Sequence, residues 1–454
     1  MTLTIDQVAA LAPDAAAAGA GRKLGSPAPW RNLGRSERSF WGECQGSAVY
    51  QVRIDLSDLA SKCSCPSRKL PCKHALGLLF LSASAPQALP AAAEPDWVSG
   101  WLEKRADATA QREARAEAKK EAQKEVRPPD SQAQEARAER RLERVRQGIE
   151  ALDLWLGDLV RNGLALVEAQ PPSFWETQAA RLVDAQAPGL AGRLRRMAGI
   201  PGASPEWPSL LLAELGRLAL LTHAFGRLDA LDPALREDVR RLVGFTLSQE
   251  EVAAGAEAVT DRWIVLGQTV DEEERVRVQR TWLLGEATGR SALILQFAVG
   301  DGSFPALFAP GTRFEADLAF WPSAWPQRAL VKERRGATET VGVLPPVPGT
   351  ESIGAFLEEA ADALARQPWL DRFPCALRGV VPVPAGGGFQ VRDREGLALA
   401  LVRGGKGDHW KLVALSGGRP LDLAGEWDGN ALLPLGAAVD GVWFHLGRRL
   451  GRDL

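Results

Sequence analysis

The sequence predicts a multidomain α+β chain: a small ββα module at the N-terminus, a helical middle domain and a β-rich C-terminal domain. Three observations predict it. Two short segments before residue 57 lead into a cysteine cluster and an apolar run, leucines spaced three and four apart begin near residue 142, and from Trp263 the period drops to two. At 454 residues the chain exceeds one ordinary core. The shifts in pattern place the units at 1–82, 83–134, 135–257 and 258–454.

Thr4-Ile-Asp-Gln7 has the form of a capping box and opens a short helix that Pro13 ends or restarts. After the glycines at Gly19 and Gly21, two strands are expected, Phe40 to Gln45 and Ala48 to Leu56, with Tyr50, Val52 and Ile54 facing inward and Gly46-Ser47 as the turn. Then comes Cys63-Ser-Cys65-Pro-Ser-Arg-Lys-Leu-Pro-Cys72-Lys-His74, four metal-ligand residues within twelve positions. Thiolate and imidazole are the donors a structural zinc prefers, and three sulfurs with one nitrogen close a tetrahedron without an open position. Residues i and i+2 of an extended segment share a side, so Cys63 and Cys65 can face one ion. Two positions in a regular helix diverge by about 200°, so Cys72 belongs in the turn and His74 at the start of a helix over Ala75 to Leu81. The positive end of that helix favours the adjacent thiolate. The plain alternative is a group of buried cysteines beside a chance histidine. A module this small needs a staple, and one zinc supplies on the order of 10 kcal/mol in comparable fingers.

C-x-C, a short spacer and C-x-H is the pattern of the SWIM zinc finger, a module of chromatin-remodelling ATPases, Mutator-type transposases and many bacterial proteins. With Trp41-Gly-Glu-Cys-Gln-Gly-Ser47 before the site and Cys65 to Leu79 within it, residues 20 to 82 resemble the bacterial SWIM zinc finger family. The resemblance implies Cys63, Cys65, Cys72 and His74 as ligands of one structural Zn2+ per chain. It further implies an adaptor role, because bacterial proteins of this kind tend to be encoded beside MoxR-type AAA ATPases and von Willebrand A-domain proteins. The family's presence in transposases and remodelling enzymes suggests DNA or RNA binding instead.

Between Arg22 and His74 there are ten basic residues against four acidic ones. Such a surface binds phosphates; it equally suits an acidic protein partner or plain solvation. Trp30 and Trp41 are read as cover for the small core rather than as stacking platforms. Ala83 to Pro95 reads as a linker, and Glu103 to Val126 as a charged helix without an apolar face, ended by Arg127-Pro-Pro129 before a Ser131 cap. Leu142, Val145, Ile149, Leu152, Leu156 and Leu159 then mark one face of a long helix, the first of a bundle or a coiled coil. Ser173-Phe-Trp-Glu176 and Ser248-Gln-Glu-Glu251 look like capping boxes, Leu210 to Leu228 like an amphipathic to buried helix carrying His223 on its apolar side, and Asp232-Pro233 like an N-cap with proline in the first turn. From Trp263 onward strands are expected at Trp263 to Thr269, Val276 to Leu284, Ala292 to Val299, Leu397 to Val402, Trp410 to Leu415 and Val442 to Leu446, with a helix near Ile353 to Leu364 capped by Ser352. The tryptophans there (Trp321, Trp325, Trp369, Trp410, Trp427, Trp443) could line a recognition groove, but most are assigned to the core.

Composition bounds the function. The chain is 45% hydrophobic and 25% charged, with a formal net charge of −2 and a pI near 6.2, so no bulk field attracts polyanions. Cys44 and Cys375 are too few for a disulfide framework, which fits a reducing cytoplasm, and Cys44 reads as a small buried hydrophobe. The first twenty residues lack the pattern of a secretory signal, and the most apolar stretch, Leu210 to Phe225, is interrupted by Glu214 and Arg217, against a membrane span. No phosphate loop, nucleophile elbow or H-E-x-x-H helix occurs, and Gly404 to His409 has neither the spacing of a phosphate loop nor an expected helix after it. His409 or His445 with Asp408 or Asp440 is the only acid–base pairing on offer, beside turns, and no catalytic residue is assigned. The expectation is a zinc-binding, non-catalytic interaction protein; nucleic-acid binding is the alternative, and an enzyme with its site in residues 260–454 the third reading.

Overall fold

A computed structural model describes residues 3–108, 111, 131–273, 276–300, 302–402 and 408–446. The N-terminal module has a four-stranded antiparallel sheet in the order β1 (Trp30–Arg35), β2 (Ser39–Gln45), β3 (Val49–Asp55) and β4 (Ser61–Cys63). The β2–β3 hairpin turns at 46–48, with Gln45 opposite Val49. Helix α3 (Lys73–Ser84) lies over the sheet, flanked by α1 (Ile5–Leu11) and α2 (Ala15–Arg22). The Thr4 capping box is formed, both arms made with Gln7. Val52, Ile54, Leu76, Leu78, Leu79 and Leu81 are buried in one core with Trp30 and Phe40. Two glycines allow α2 and α3 to approach: a Cβ on Gly21 would stand 2.6 Å from that of Leu76, and one on Gly77 would stand 2.7 Å from that of Leu24.

The Ala/Pro-rich text after α3 lies against this module. Leu89 is buried, and Arg35 exchanges backbone hydrogen bonds with Pro90 and Ala92. Helix α4 (residues 96–108) follows, packing Trp97, Val98, Trp101 and Leu102 around Trp41. Of the charged helix expected over Glu103 to Val126, residues 103–108 and 111 are helical, and the remainder, with the Arg127-Pro-Pro129 break, lies outside the described residues.

Helices α5 (Ser131–Asn162), α6 (Pro172–Asp184), α7 (Pro188–Met197), α8 (Trp207–Gly226) and α9 (Pro233–Val243) form the helical body. The leucine stripe of α5 is its inner face: Val145, Ile149, Leu152, Leu156 and Leu159 join Trp175, Leu190, Leu194, Leu211 and Leu218 in one core. The bundle reading holds. Ser131 lies within α5, and its side chain is outside the described residues. Asp232 caps α9 through Ala234 with Pro233 in the first turn, and Ser248 forms its capping box on α10 (Gln249–Gly255). Two expectations fail here. Ser173 does not cap α6, because proline at 172 already occupies the first helical turn, and Glu176 ion-pairs with Arg195 instead. His223 is exposed rather than on the apolar side: α8 buries only the stripe through Leu211, Leu215, Leu218 and Phe225 and leaves Leu210, Leu212 and Leu220 half-exposed.

The β-rich part contains a closed barrel, in the order β5 (Ala258–Glu273), β6 (Val276–Gly285), β7 (Ser291–Val299), β9 (Arg328–Thr340) and β8 (Thr312–Phe320), whose closure uses a parallel β7–β9 pair. A six-stranded antiparallel sheet packs on it, ordered β12 (Ala398–Ala400), β11 (Gly388–Arg392), β10 (Phe373–Ala385), β13 (Leu421–Trp427), β14 (Leu432–Val439) and β15 (Val442–His445). Ile264, Leu266, Trp282, Leu435 and Trp443 form their shared core, and the Trp282 indole donates to the buried Glu426 carboxylate at 2.8 Å. Helix α11 (Ile353–Arg366) is capped by Ser352 as expected. The segment Trp410 to Leu415 is not a strand. It belongs to helix α12 (Asp408–Ser416), so a helix does follow the glycine-rich stretch, of which residues 403–407 lie outside the described residues. Leu412 and Leu415, three apart, turn into the core over β10, and that packing overrides the β preference of Trp410 and Val413. Trp410 is 60% exposed, while Trp321, Trp369 and Trp443 are buried.

Candidate metal centre

Each donor has its own support. Cys63 ends β4, where Val52 of β3 pairs with it, so the sheet fixes its position. Cys65 follows in the loop, and its backbone N–H donates to Cys63 Sγ at 3.5 Å. Cys72 is the N-cap of α3: its extended backbone stops the helix from starting earlier, and its sulfur accepts from Ala75 N–H at 3.4 Å. His74 sits in the first turn of α3 and is buried. The four ligand atoms lie within 4.8 Å of one another, and Cys63 Sγ stands 3.7 Å from His74 Nδ1. A tetrahedral ion with Zn–S near 2.3 Å and Zn–N near 2.0 Å puts neighbouring donors about 3.5–3.8 Å apart, so the donor set fits one structural zinc ion. Cys63 and Cys65 are half-buried while Cys72 and His74 are enclosed. In that shell the ion would tie strand, loop and helix together, and four protein donors leave no position for a substrate.

The proton distribution follows from crowding three sulfurs. The Cys63 thiol, donating a hydrogen bond to Cys72, holds Cys72 down at about 4 against the effect of burial, with His74 and the Ala75 N–H acting in the same direction. The same bond pushes Cys63 up, and burial raises Cys65. Of the three sulfurs, Cys72 is therefore the one most readily held as a thiolate.

One contributor was missed in the sequence. Tyr50 stacks on the His74 ring, with centroids 4.7 Å apart and planes at 28°, and its hydroxyl shares a 2.8 Å hydrogen bond with Ser47. It is the only tyrosine in the chain, yet nothing in its spacing from His74 signals the stack. Beside it opens a groove of about 460 Å³ between α2 and the metal-binding loop, lined by Ala16, Ala20, Tyr50, Pro66, Lys69 and Lys73. The groove runs on past Ala20 toward Lys23.

The other candidates do not gather. Cys44 is buried, with its thiol raised by that burial, and Cys375 is likewise enclosed. His409 packs beside Phe389, and Asp440 is exposed in an ion pair with Arg419. All five cysteines are free of disulfides. Among the described residues no helix is long and apolar enough to cross a membrane. Compared with known families, residues 50–82 match the SWIM zinc finger and residues 140–243 match the SWIM-associated four-helix bundle domain. No curated protein and no solved structure matches the chain.

Proposed function

Because the chain is a SWIM-type zinc finger family protein, we propose that it is a non-catalytic adaptor whose zinc-stapled finger docks an acidic protein partner. The observation that carries this reading is the state of the charges on the finger. Lys23, Arg31, Arg35, Arg38, Lys62, Arg68 and Lys73 are exposed, and none of them has an ion pair among the described residues. Three of the four nearby acids are engaged elsewhere: Asp55 and Asp58 are held by Arg105 of α4, and Glu43 accepts from Asn32 and Gln51, which leaves Glu37 as the exposed counter-charge. The finger thus offers unbalanced positive charge beside an alanine-lined groove, a combination that favours an acidic partner with a small apolar anchor. The closed donor shell supports a structural rather than a catalytic ion. From the family resemblance, AAA ATPases of the MoxR type and von Willebrand A-domain proteins are the first partners to test, in the reducing cytoplasm that five unpaired cysteines favour.

The same exposed cations support DNA or RNA binding as a second reading. The test is capture of partners by the full chain, with and without Cys72→Ser and with nuclease treatment. A protein retained through nuclease and lost in the variant supports the adaptor. Capture that disappears with nuclease, together with a steep linear fall of log K against log salt, transfers the function to nucleic acid. Unchanged capture by Cys72→Ser would refute a role for the finger altogether.

A further inference from the structure

Helical body, barrel and terminal layer meet around a cavity of about 370 Å³, separate from the finger. Arg193 and Arg196 reach it from α7, Arg241 from α9 and Arg328 from the start of β9; in the lining only Asp371 opposes them. Arg241 is partly balanced by the buried Asp238, which also accepts from Ser323 Oγ and Ala324 N–H. Arg193, Arg196 and Arg328 have no ion pair among the described residues; Arg328 lies over the Trp321 ring at 4.1 Å. A second observation is independent of charge. Gln327, 9% exposed, is among the residues lining this cavity and an adjoining one, and its buried Nε2 has no hydrogen-bond partner.

Guanidinium groups converging from separate elements repel one another, and a buried amide donor left unmatched is unfavourable. Neither is needed to hold the layers, since Trp369 already packs into the helical core and Trp282 joins Leu435 and Trp443 between barrel and terminal sheet. We infer that this cavity binds a small phosphorylated anion, held by Arg193, Arg196 and Arg328 with Gln327 as an additional donor. Phosphate fits better than a single carboxylate, because its oxygens on several sides match planar forks arriving from several directions. The volume lies within the roughly 300–1,000 Å³ of small-molecule sites, and the Trp325 and Trp369 side chains add an aromatic wall. Burial, reinforced by Arg196, already holds the Arg193 guanidinium below its ordinary range; burial and Arg241 do the same to Arg328. A bound anion would relieve both.

The test uses the full zinc-loaded chain and inorganic pyrophosphate, with malonate as the dicarboxylate rival, at constant ionic strength in calorimetry and thermal unfolding. Pyrophosphate should bind and raise the unfolding midpoint. Arg193→Gln and Arg328→Gln should each weaken it about tenfold or more, and Arg161→Gln, a remote surface change, should not. Arg196 is exposed, so Arg196→Gln keeps the test available should the half-buried variants fold poorly. No binding, equal binding by the Arg196 variant, or malonate binding as tightly as pyrophosphate would overturn the inference. The outcome is independent of the finger, since Cys72→Ser should leave pyrophosphate binding intact.

Discussion

Cys72 serves both as a metal-ligand candidate and as the N-cap of α3, and two substitutions separate these roles. Cys72→Ser removes the thiolate but keeps an oxygen able to accept from Ala75 N–H, whereas Cys72→Ala removes both. We expect both variants to lose zinc, and the alanine variant to be less stable by about 1 kcal/mol in urea unfolding of the metal-free chain. Equal stabilities would mean that a side-chain cap at this position contributes nothing. Tyr50 gives a second test at this scale. Tyr50→Ala removes the stack on His74 and should weaken zinc binding about 2- to 10-fold in chelator competition, while Tyr50→Phe should stay near the parent. The donor cluster was legible in the sequence because its spacing is local. The stack was not, because it depends on how the hairpin is laid against α3, which no spacing records.

Helices α2 and α3 meet where Gly21 and Gly77 leave room. A valine at Gly77 would press on Leu24, so Gly77→Val should cost about 1–3 kcal/mol, seen as a lower unfolding midpoint and faster hydrogen exchange in α3; an unchanged midpoint would show the interface can open without cost. Helices with a polar cap and a periodic face were legible as elements: α1, α5, α9, α10 and α11 all start or pack where their patterns say. Errors arose where tertiary contact decides, or where one local signal outranks another. At α12, Leu412 in the core outweighs a β-like composition, and at α6 a proline one residue earlier displaces Ser173 from the cap. Barrel closure was out of reach as well, since the β7–β9 pair joins Leu293 to Arg328 across a long stretch of chain and no local pattern encodes that distance.

At the scale of the molecule, the finger is fastened to the barrel. The Gln7 side-chain amide, buried, donates to the carbonyls of Pro310 and Gly311 at 3.0 and 2.9 Å. Gln268 of β5 returns a bond to Ala10, and Thr338 of β9 donates from its backbone to Leu56 and from its hydroxyl to Ser57. Gln7→Ala strands the buried Pro310 carbonyl, while that of Gly311 keeps its bond from Val341 N–H, and removes the Gln7 arm of the Thr4 capping box; it should destabilise the docked finger by about 1–3 kcal/mol, visible as faster exchange across α1 with the helical body unaffected, whereas uniform exchange would argue that α1 is not the fastener. Removing the metal should act on the same unit alone, because the bundle and barrel have cores of their own. The most direct measurement is therefore metal analysis of the purified full chain, combined with hydrogen exchange before and after chelation. One zinc per chain, with protection lost over residues 50–84 on its removal and retained in α5 to α9, is the expected result. A metal-free chain whose finger is as protected as the zinc-loaded one would contradict it.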